Sequence, residues 1–390
     1  MAKPLPSAGQ RFIPYGRQSI DEEDIAAVVG ALRSDFLTTG PTVGKFEDAV
    51  AAVTGGAHVV AVNSGTSALH AAYAAVGLGP GDEVIVPALT FAATANAAMY
   101  VGARPVFADV DQATGTLAVG SVEQLLSPRT RAIVAVDYAG HPADYDALRR
   151  IAERAGAHLV ADAAHSLGAI DGDRRVGQLA DISTLSFHPV KHVTTGEGGA
   201  LVTSDAANAS RARDFRSHGI VRAPERLQRD EGPWHAEMQG LGFNYRLTDI
   251  QCALGMSQLA KLPTFLSRRR EIAARYLEAF ADLQQLIQPS VRRGVVPAWH
   301  LYVLRVATDA GRRRPFFDAL SQAGLGVQVH YLPVYRHPYY RKHGYADVEC
   351  PVAEDFYSRA VSIPIYPGMS DDDVSYVIDT VRDATRAILG

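Results

Sequence analysis

A single lysine, Lys191, lies in the run STLSFHPVKHVTTGEGGALVTS (183–204), with Ser186 five positions before it and a glycine-rich turn after it. An isolated lysine is ordinarily a solvated surface residue. Here the apolar and small neighbours would strip water from the ammonium and lower its pKa toward that of a usable nucleophile. The run HLVADAAHSLGA (158–169) closes an apolar segment with Asp162. A carboxylate in that place can cap the next element, bind a metal with His165 at i+3, or balance a bound cation, and no third ligand lies nearby to favour a metal. The run NSGTSALHAAY (63–73) sets small polar residues after another apolar segment, at the opening of a helix. Unpaired N–H groups and the positive end of the helix dipole would take a phosphate there without a dedicated lysine. Ser64 or Thr66 reads equally well as a plain N-cap. The run is neither a P-loop nor a dinucleotide fingerprint.

Such groups need a frame to hold them. Short apolar runs alternate with helical patterns through the first 205 residues, the signature of crossover units on a largely parallel sheet. The predicted strands are 58–62, 83–87, 104–110, 131–137, 158–162, 182–187 and 199–204, and most are apolar on both faces. A sheet covered by helices on both sides requires that, whereas a half-solvated sheet would alternate. Helices are predicted from Thr66 to Val76, Ala92 to Val101 and Asp144 to Ala155. Ligands then collect at the C-terminal ends of the strands. From about Leu254 the pattern shifts to a long charged helix, KLPTFLSRRREIAARYLEAFADL, then to mixed elements and a last helix at 370–388. The expected fold class is α/β, with a large domain at 12–258 holding a mostly parallel seven-stranded sheet. A smaller α+β domain follows at 259–390, with a hinge near 255–265. The triplets Arg268–Arg270 and Arg312–Arg314 read as solvated helix faces.

The balance of 38 basic and 42 acidic side chains, net −4, argues against a nucleic-acid or anionic-membrane partner, which needs concentrated basic surface. With 47% hydrophobic and 21% charged residues, the chain is globular and not disordered. Two cysteines, Cys252 and Cys350, cannot staple 390 residues, and no C-x-x-C pair exists, so a reducing cytosol is the simplest setting. The opening MAKPLPSAGQRFIPYGR lacks the apolar segment of a secretory signal. The uncharged stretches Val59–Gly81 and Val84–Ala103 reach the length of a membrane span. Asn63, Ser64, Thr66, Pro80, Pro87, Thr90 and Asn96 would be costly in hydrocarbon, and a doubly covered soluble core explains both stretches.

The three chemical runs together resemble the pyridoxal-phosphate enzymes of the aspartate aminotransferase fold (fold type I), with the aspartate about thirty residues before the lysine. Residues 12–390 are similar to the DegT/DnrJ/EryC/StrS family of sugar aminotransferases. The phrases that carry this are FLTTGPTVGKFE, AVNSGTSALHAAY, GDEVIVPALTFAATANAA, DAAHSLGA, SFHPVKHVTTGEGGA and GFNYRLTDIQCALG. The resemblance implies pyridoxal 5'-phosphate as cofactor, joined to Lys191 as a Schiff base, with Asp162 keeping the pyridine nitrogen protonated. It implies that Gly65, Thr66 and Ser186 hold the phosphate, that Phe91 stacks on the ring, and that Asn244 reaches the phosphate in a neighbouring subunit of a homodimer. Many relatives carry Gln where this chain has His165, facing the cofactor's phenolic oxygen; His can make a similar contact whose protonation state matters. A subset of related dehydratases replaces the lysine by histidine, but SFHPVK aligns without a gap and puts Lys191, not His192, on the lysine column.

The implied reaction is ping-pong transamination in a cytoplasmic enzyme, with L-glutamate as donor and a nucleotide-linked 4-keto sugar as acceptor, and Lys191 as general base and acid. FIPYGRQSIDEEDI, GVQVHYLPVYRHPYY and SFHPVKHVTTGEGGA are most similar to the pseudaminic acid branch of the family. Its acceptor is UDP-2-acetamido-2,6-dideoxy-beta-L-arabino-hexos-4-ulose and its product UDP-4-amino-4,6-dideoxy-N-acetyl-beta-L-altrosamine. Residues 330–340 hold two His and four Tyr, suited to a sugar or uracil, or to packing of the small domain or a dimer interface. His330 and Tyr331 are the expected substrate contacts. The competing readings are amination of a GDP-perosamine precursor or a dTDP-linked hexose, and a non-catalytic sensor of cofactor and sugar nucleotide.

Overall fold

The computed structural model describes residues 11–390, so the first ten residues of the stretch tested for a secretory signal lie outside the described residues. Seven strands form one sheet: β1 (His58–Val62), β2 (Glu83–Pro87), β3 (Arg104–Ala108), β4 (Thr130–Val136), β5 (His158–Asp162), β6 (Ile182–Ser186) and β7 (Gly199–Thr203). Their spatial order is β1-β7-β6-β5-β4-β2-β3. All neighbours run parallel except β7, which is antiparallel to both β1 and β6. The third strand is shorter than expected and stops at Ala108, because Asp109 turns to accept the amides of Val352 and Ala353.

Alternate residues of each strand enter different cores. Val60, Val84, Val86, Val134 and Val160 pack on one side of the sheet, and Val59, Ala61, Ile85, Ile133 and Leu159 on the other. This two-sided burial is the physical cause of unbroken apolar runs. Helix α1 (Gly65–Ala75) follows β1 and belongs to the first side, where Ala72 and Ala75 let it approach the sheet closely. Helix α2 (Tyr145–Ala155) covers the second with Tyr145, Leu148 and Ile151.

A 31-residue helix, α3 (Asp249–Ala279), starts with a capping box between Thr248 and Gln251 and contains Pro263. It passes through the expected hinge and through the boundary at 258/259 without a break. Cys252, Leu259 and Leu262 sit in the second core of the large sheet, whereas Ile272, Ala273 and Tyr276 sit in a third core. That third core covers an antiparallel sheet of β8 (Leu286–Ile287), β9 (Tyr302–Val306) and β10 (Ala360–Ile363), in the order β8-β9-β10.

Arg269, expected on a solvated helix face, is 1% exposed and does not face solvent. Its position on α3 falls where the cores meet, and its guanidinium donates to the carbonyls of Trp299 (3.1 Å), His300 (3.4 Å) and Ile365 (2.9 Å). Burial lowers its pKa to about 10. Arg268 does lie at the surface side, paired with Glu271 and Asp371.

Tyr335 and Tyr340 pack around Phe107, with ring centroids at 5.9 and 5.5 Å, so these two aromatics serve the core. Among the described residues no helix is long and apolar enough to cross a membrane, and no His/Cys/Asp/Glu group fits a metal ion. Both cysteines are free and buried.

Candidate active site

The C-terminal ends of β1, β5 and β6 open onto a cavity of about 420 Å³, within the usual size range of small-ligand sites. Of the residues singled out in the sequence, Gly65, Thr66, Phe91, Asp162, His165, Ser186, Lys191, His330 and Tyr331 all line it. Asn244 does not. It is exposed on the segment before α3, where its carbonyl accepts from the Asn63 side chain at 3.4 Å.

One end of the cavity is the start of α1. The Ser64 hydroxyl caps the helix by accepting the Ser67 amide at 3.0 Å. The Thr66 hydroxyl makes no hydrogen bond to any described residue and is available to a ligand. Gly65 faces Ser186 so closely that an added Cβ would lie 2.9 Å from the serine Cβ. Glycine is required there because any side chain would fill the cup between the helix start and β6. The cup therefore combines free helix amides with two hydroxyls, a donor set suited to a phosphate.

Asp162 ends β5 and is 6% exposed. Its Oδ2 accepts from the Thr94 hydroxyl at 2.7 Å and its Oδ1 from the Ala164 amide at 3.3 Å. Thr94 is itself joined to the Thr90 hydroxyl at 2.8 Å. Burial raises the carboxyl pKa, while the Thr94 and Ala164 bonds and the nearby Lys191 charge pull it down. A cation bound beside it would favour the ionised form further.

Lys191 sits in the loop between β6 and β7. Ties across the loop hold it in shape: the Phe187 amide donates to Gly198 (2.8 Å), and the Thr195 amide and Thr194 hydroxyl donate to the Phe187 carbonyl (3.0 and 3.1 Å). Burial lowers the Lys191 pKa to about 8, with the Asp162 charge opposing the shift. The side chain opens onto the cavity. Among the described residues no arginine lines the cavity, and Lys191 is the lysine that does.

His165 is 5% exposed, and its Nε2 lies 3.2 Å from the Tyr331 hydroxyl. Burial holds the imidazole neutral and the phenol protonated, so Tyr331 donates to Nε2 and the ring proton resides on Nδ1. That N–H has no partner in the protein. His330 pairs its Nδ1 with the Ser362 hydroxyl at 2.8 Å, and its carbonyl accepts from the Tyr138 hydroxyl. Phe91 is 60% exposed at the mouth, edge-on to Tyr331 with centroids 6.0 Å apart.

The sequence reading did not single out Thr90, Thr94 or His300. His300 lines the cavity, is 4% exposed, and lies with its ring centroid 4.3 Å from that of His165 and 5.6 Å from that of His192. The only signal was a lone His in AWHLYV, ahead of β9, with no spacing to mark it.

A cup built for phosphate, a buried carboxylate near a lysine with a lowered pKa, and an unpaired imidazole N–H together fit pyridoxal phosphate. The profile of the DegT/DnrJ/EryC1/StrS aminotransferase family matches residues 18–382, and the chain belongs to that family. The spore coat polysaccharide biosynthesis protein SpsC of Bacillus subtilis is 41% identical over 379 residues, covering 96% of this chain and 97% of SpsC. Among solved structures, Helicobacter pylori PseC, an aminotransferase involved in the biosynthesis of pseudoaminic acid, superposes with a TM-score of 0.91. It is 31% identical and covers 97% of this chain and all (100%) of that one. The PLP form of Spr1654 from Streptococcus pneumoniae gives a TM-score of 0.91 at 29% identity, covering 97% and 100%. The fold is thus fold type I and the chain is a pyridoxal-phosphate-dependent sugar aminotransferase.

Proposed function

We propose that this family member moves the amine of L-glutamate to C4 of a nucleotide-linked 4-keto-6-deoxy sugar, with UDP-2-acetamido-2,6-dideoxy-beta-L-arabino-hexos-4-ulose as the acceptor. The observation that carries the transamination chemistry is the meeting of Lys191, Asp162 and the Gly65–Ser186 cup in one cavity. The similarity to PseC supports the choice of sugar.

In this reading Gly65, Thr66 and Ser186 would hold the cofactor phosphate, Asp162 would face the ring nitrogen, His165 would lie beside the phenolic oxygen, and Phe91 would cover the ring face. The bound pyridoxal phosphate supplies the electron sink that makes the donor's α-proton acidic. Lys191 anchors the cofactor, then as a free amine takes the proton from the donor's α-carbon; its lowered pKa keeps part of it unprotonated near neutral pH. Asp162, held by Thr94 and the Ala164 amide, keeps a negative charge opposite the ring nitrogen. His330 and Tyr331 wall the side where the sugar enters.

A homodimer completes the reading. Trp234, Met238 and Leu241 are 74%, 68% and 81% exposed on the segment leading to Asn244, an apolar surface that a second copy would cover and that would carry Asn244 toward the partner's cup. Two free buried thiols suit a cytoplasmic enzyme.

The test is incubation of the loaded enzyme with L-glutamate and a panel of UDP-, GDP- and dTDP-linked 4-keto sugars, with products read by mass. The UDP compound is expected to be aminated fastest. Preference for the GDP or dTDP sugar would overturn the substrate assignment. Lys191→Ala is expected to abolish transfer, and transfer that persisted would overturn the catalytic assignment of Lys191.

A further inference from the structure

Behind the cavity, at the end of β4, lies a buried carboxylate that takes no part in the chemistry above. Asp137 is 0% exposed and does not line the cavity. The register of β4 on β5 sets Val136 opposite Asp162, and the Asp137 amide donates to the Asp162 carbonyl at 3.1 Å. Its side chain serves two elements. Oδ1 accepts from the Tyr145 hydroxyl (2.7 Å) and the Ala143 amide (3.1 Å) at the start of α2, and Oδ2 accepts from the Ser166 hydroxyl. Burial raises the carboxyl pKa to about 7 while these bonds pull it down, and the anion is the form that meets all three donors.

Taking an anion out of water is costly, and the two bonds to the start of α2 need only a neutral oxygen. The third bond goes to the turn that carries His165. Ser166 follows that histidine directly and is 0% exposed. The turn is closed by the Ser166 amide on the Ala163 carbonyl at 3.0 Å. Gly140, three residues after Asp137, lies against it, and an added Cβ there would fall 2.8 Å from the His165 carbonyl.

The His165 ring itself meets the Tyr331 hydroxyl at 3.2 Å and packs on His300 with centroids 4.3 Å apart. Tyr331 and His300 both come from segments outside the large sheet. A ring in contact with such a wall keeps its place relative to Asp162 and Lys191 when its own backbone is anchored to the sheet. The bond from Ser166 to Asp137 is that anchor.

Building on the cofactor placement above, in which His165 lies beside the phenolic oxygen, we infer that Asp137 is a positioning residue: through Ser166 it fixes the turn that aims His165 at the cofactor, and it acts on the reaction by way of that imidazole.

The readout is the pH at which the visible absorbance of the lysine-bound cofactor changes. The proton lost there is shared with the phenolic oxygen, so a hydrogen bond donated to that oxygen lowers the midpoint and its loss raises it. His165→Phe should raise the midpoint by about one unit, the tenfold shift that one hydrogen bond is worth. Ser166→Ala leaves both carboxylates and the imidazole in place and should raise it by about half a unit or more, but by less than about 0.2 in the His165→Phe background. Asp137→Asn also loses a charge, which acts alike in both backgrounds, so the difference between its two shifts should match that of Ser166→Ala. It takes the place of Ser166→Ala if that variant does not load. Tyr145→Phe, which removes a bond to α2 alone, should lower the melting temperature without moving the midpoint. Equal shifts with and without His165, no shift in a loaded Ser166→Ala protein, or a shift as large in Tyr145→Phe would overturn the inference. If His165→Phe leaves the midpoint in place, the placement of His165 fails and the inference falls with it. None of these outcomes depends on which keto sugar is aminated, so failure of the substrate assignment is read separately.

Discussion

The reactivity of Lys191 as a function of pH gives the most direct measure of the site's electrostatics. Burial brings its pKa to about 8, and the Asp162 charge works against that shift. At pH 7 a lysine with that pKa is about one-tenth free amine, whereas an ordinary lysine near 10.4 is free to only a few parts in ten thousand, a difference of roughly 200-fold. Cofactor-free protein mixed with a small uncharged aldehyde, trapped with borohydride and mapped by peptide mass, reports the rate of modification at residue 191 alone. The rate should rise with pH and level off above a midpoint near 8. Replacing Asp162 by Asn removes the attraction that holds the proton on the ammonium, so the midpoint should fall below that of the unaltered protein. The sign is fixed by charge: neutralising a neighbouring carboxylate can only make the ammonium easier to deprotonate. A midpoint close to 10, or one that moves upward in Asp162→Asn, would refute the account of a desolvated lysine poised against a carboxylate.

Three other perturbations follow from the same contacts. Gly65→Ala puts a Cβ 2.9 Å from Ser186 and should cut cofactor affinity at least tenfold, measured by titrating the visible absorbance, while leaving a cooperative melt. Thr94→Val removes the 2.7 Å donor to Asp162 without changing shape; it should lower stability by about 1–2 kcal/mol in urea and raise the carboxyl pKa, seen as weaker cofactor binding at low pH. That binding loss should appear as pH falls, because a raised carboxyl pKa means the anion is lost sooner on acidification. Arg269→Met leaves three buried carbonyls without their donor and should cost about 3 kcal/mol, with Arg269→Lys losing less; equal melts for all three proteins would show that the cation is not what holds the 299–300 turn.

The large sheet was readable in the sequence because burial on both faces makes most strand residues apolar, and that pattern survives without any knowledge of neighbours. Val59 and Val60 go to opposite cores, yet both must be hydrophobic. The antiparallel turn of β7 left no such mark, since a buried strand reads the same in either direction. The grouping of Lys191, Asp162 and Gly65 was legible from the resemblance and from strand ends. Thr94 was not, since its value lies in a single hydroxyl aimed at Asp162, 68 residues further along the chain. Arg269 was read as solvated because helical spacing was judged from α3 alone. Its burial depends on carbonyls from residues 299, 300 and 365, which only the tertiary fold brings to that face. The hinge near 255–265 was expected from the change of pattern there; the helix Asp249–Ala279 runs through that stretch, and Pro263, with both flanks packed, does not end it.

The pairing of β6 with β7 decides which wall of the cavity is free to move. Because these strands are adjacent and antiparallel, from Ile182↔Thr203 to Ser186↔Gly199, the twelve residues between them return to the sheet beside their point of departure. An amine mounted there is like a tool on a short bench arm clamped at both ends: after each turnover it comes back to the same spot. Traffic of substrates must then be accommodated by the opposite wall, where Tyr15, His330 and Tyr331 arrive from segments outside the sheet. Amide exchange should accordingly be slow across 182–203 and faster across 328–333, with substrate quieting only the latter.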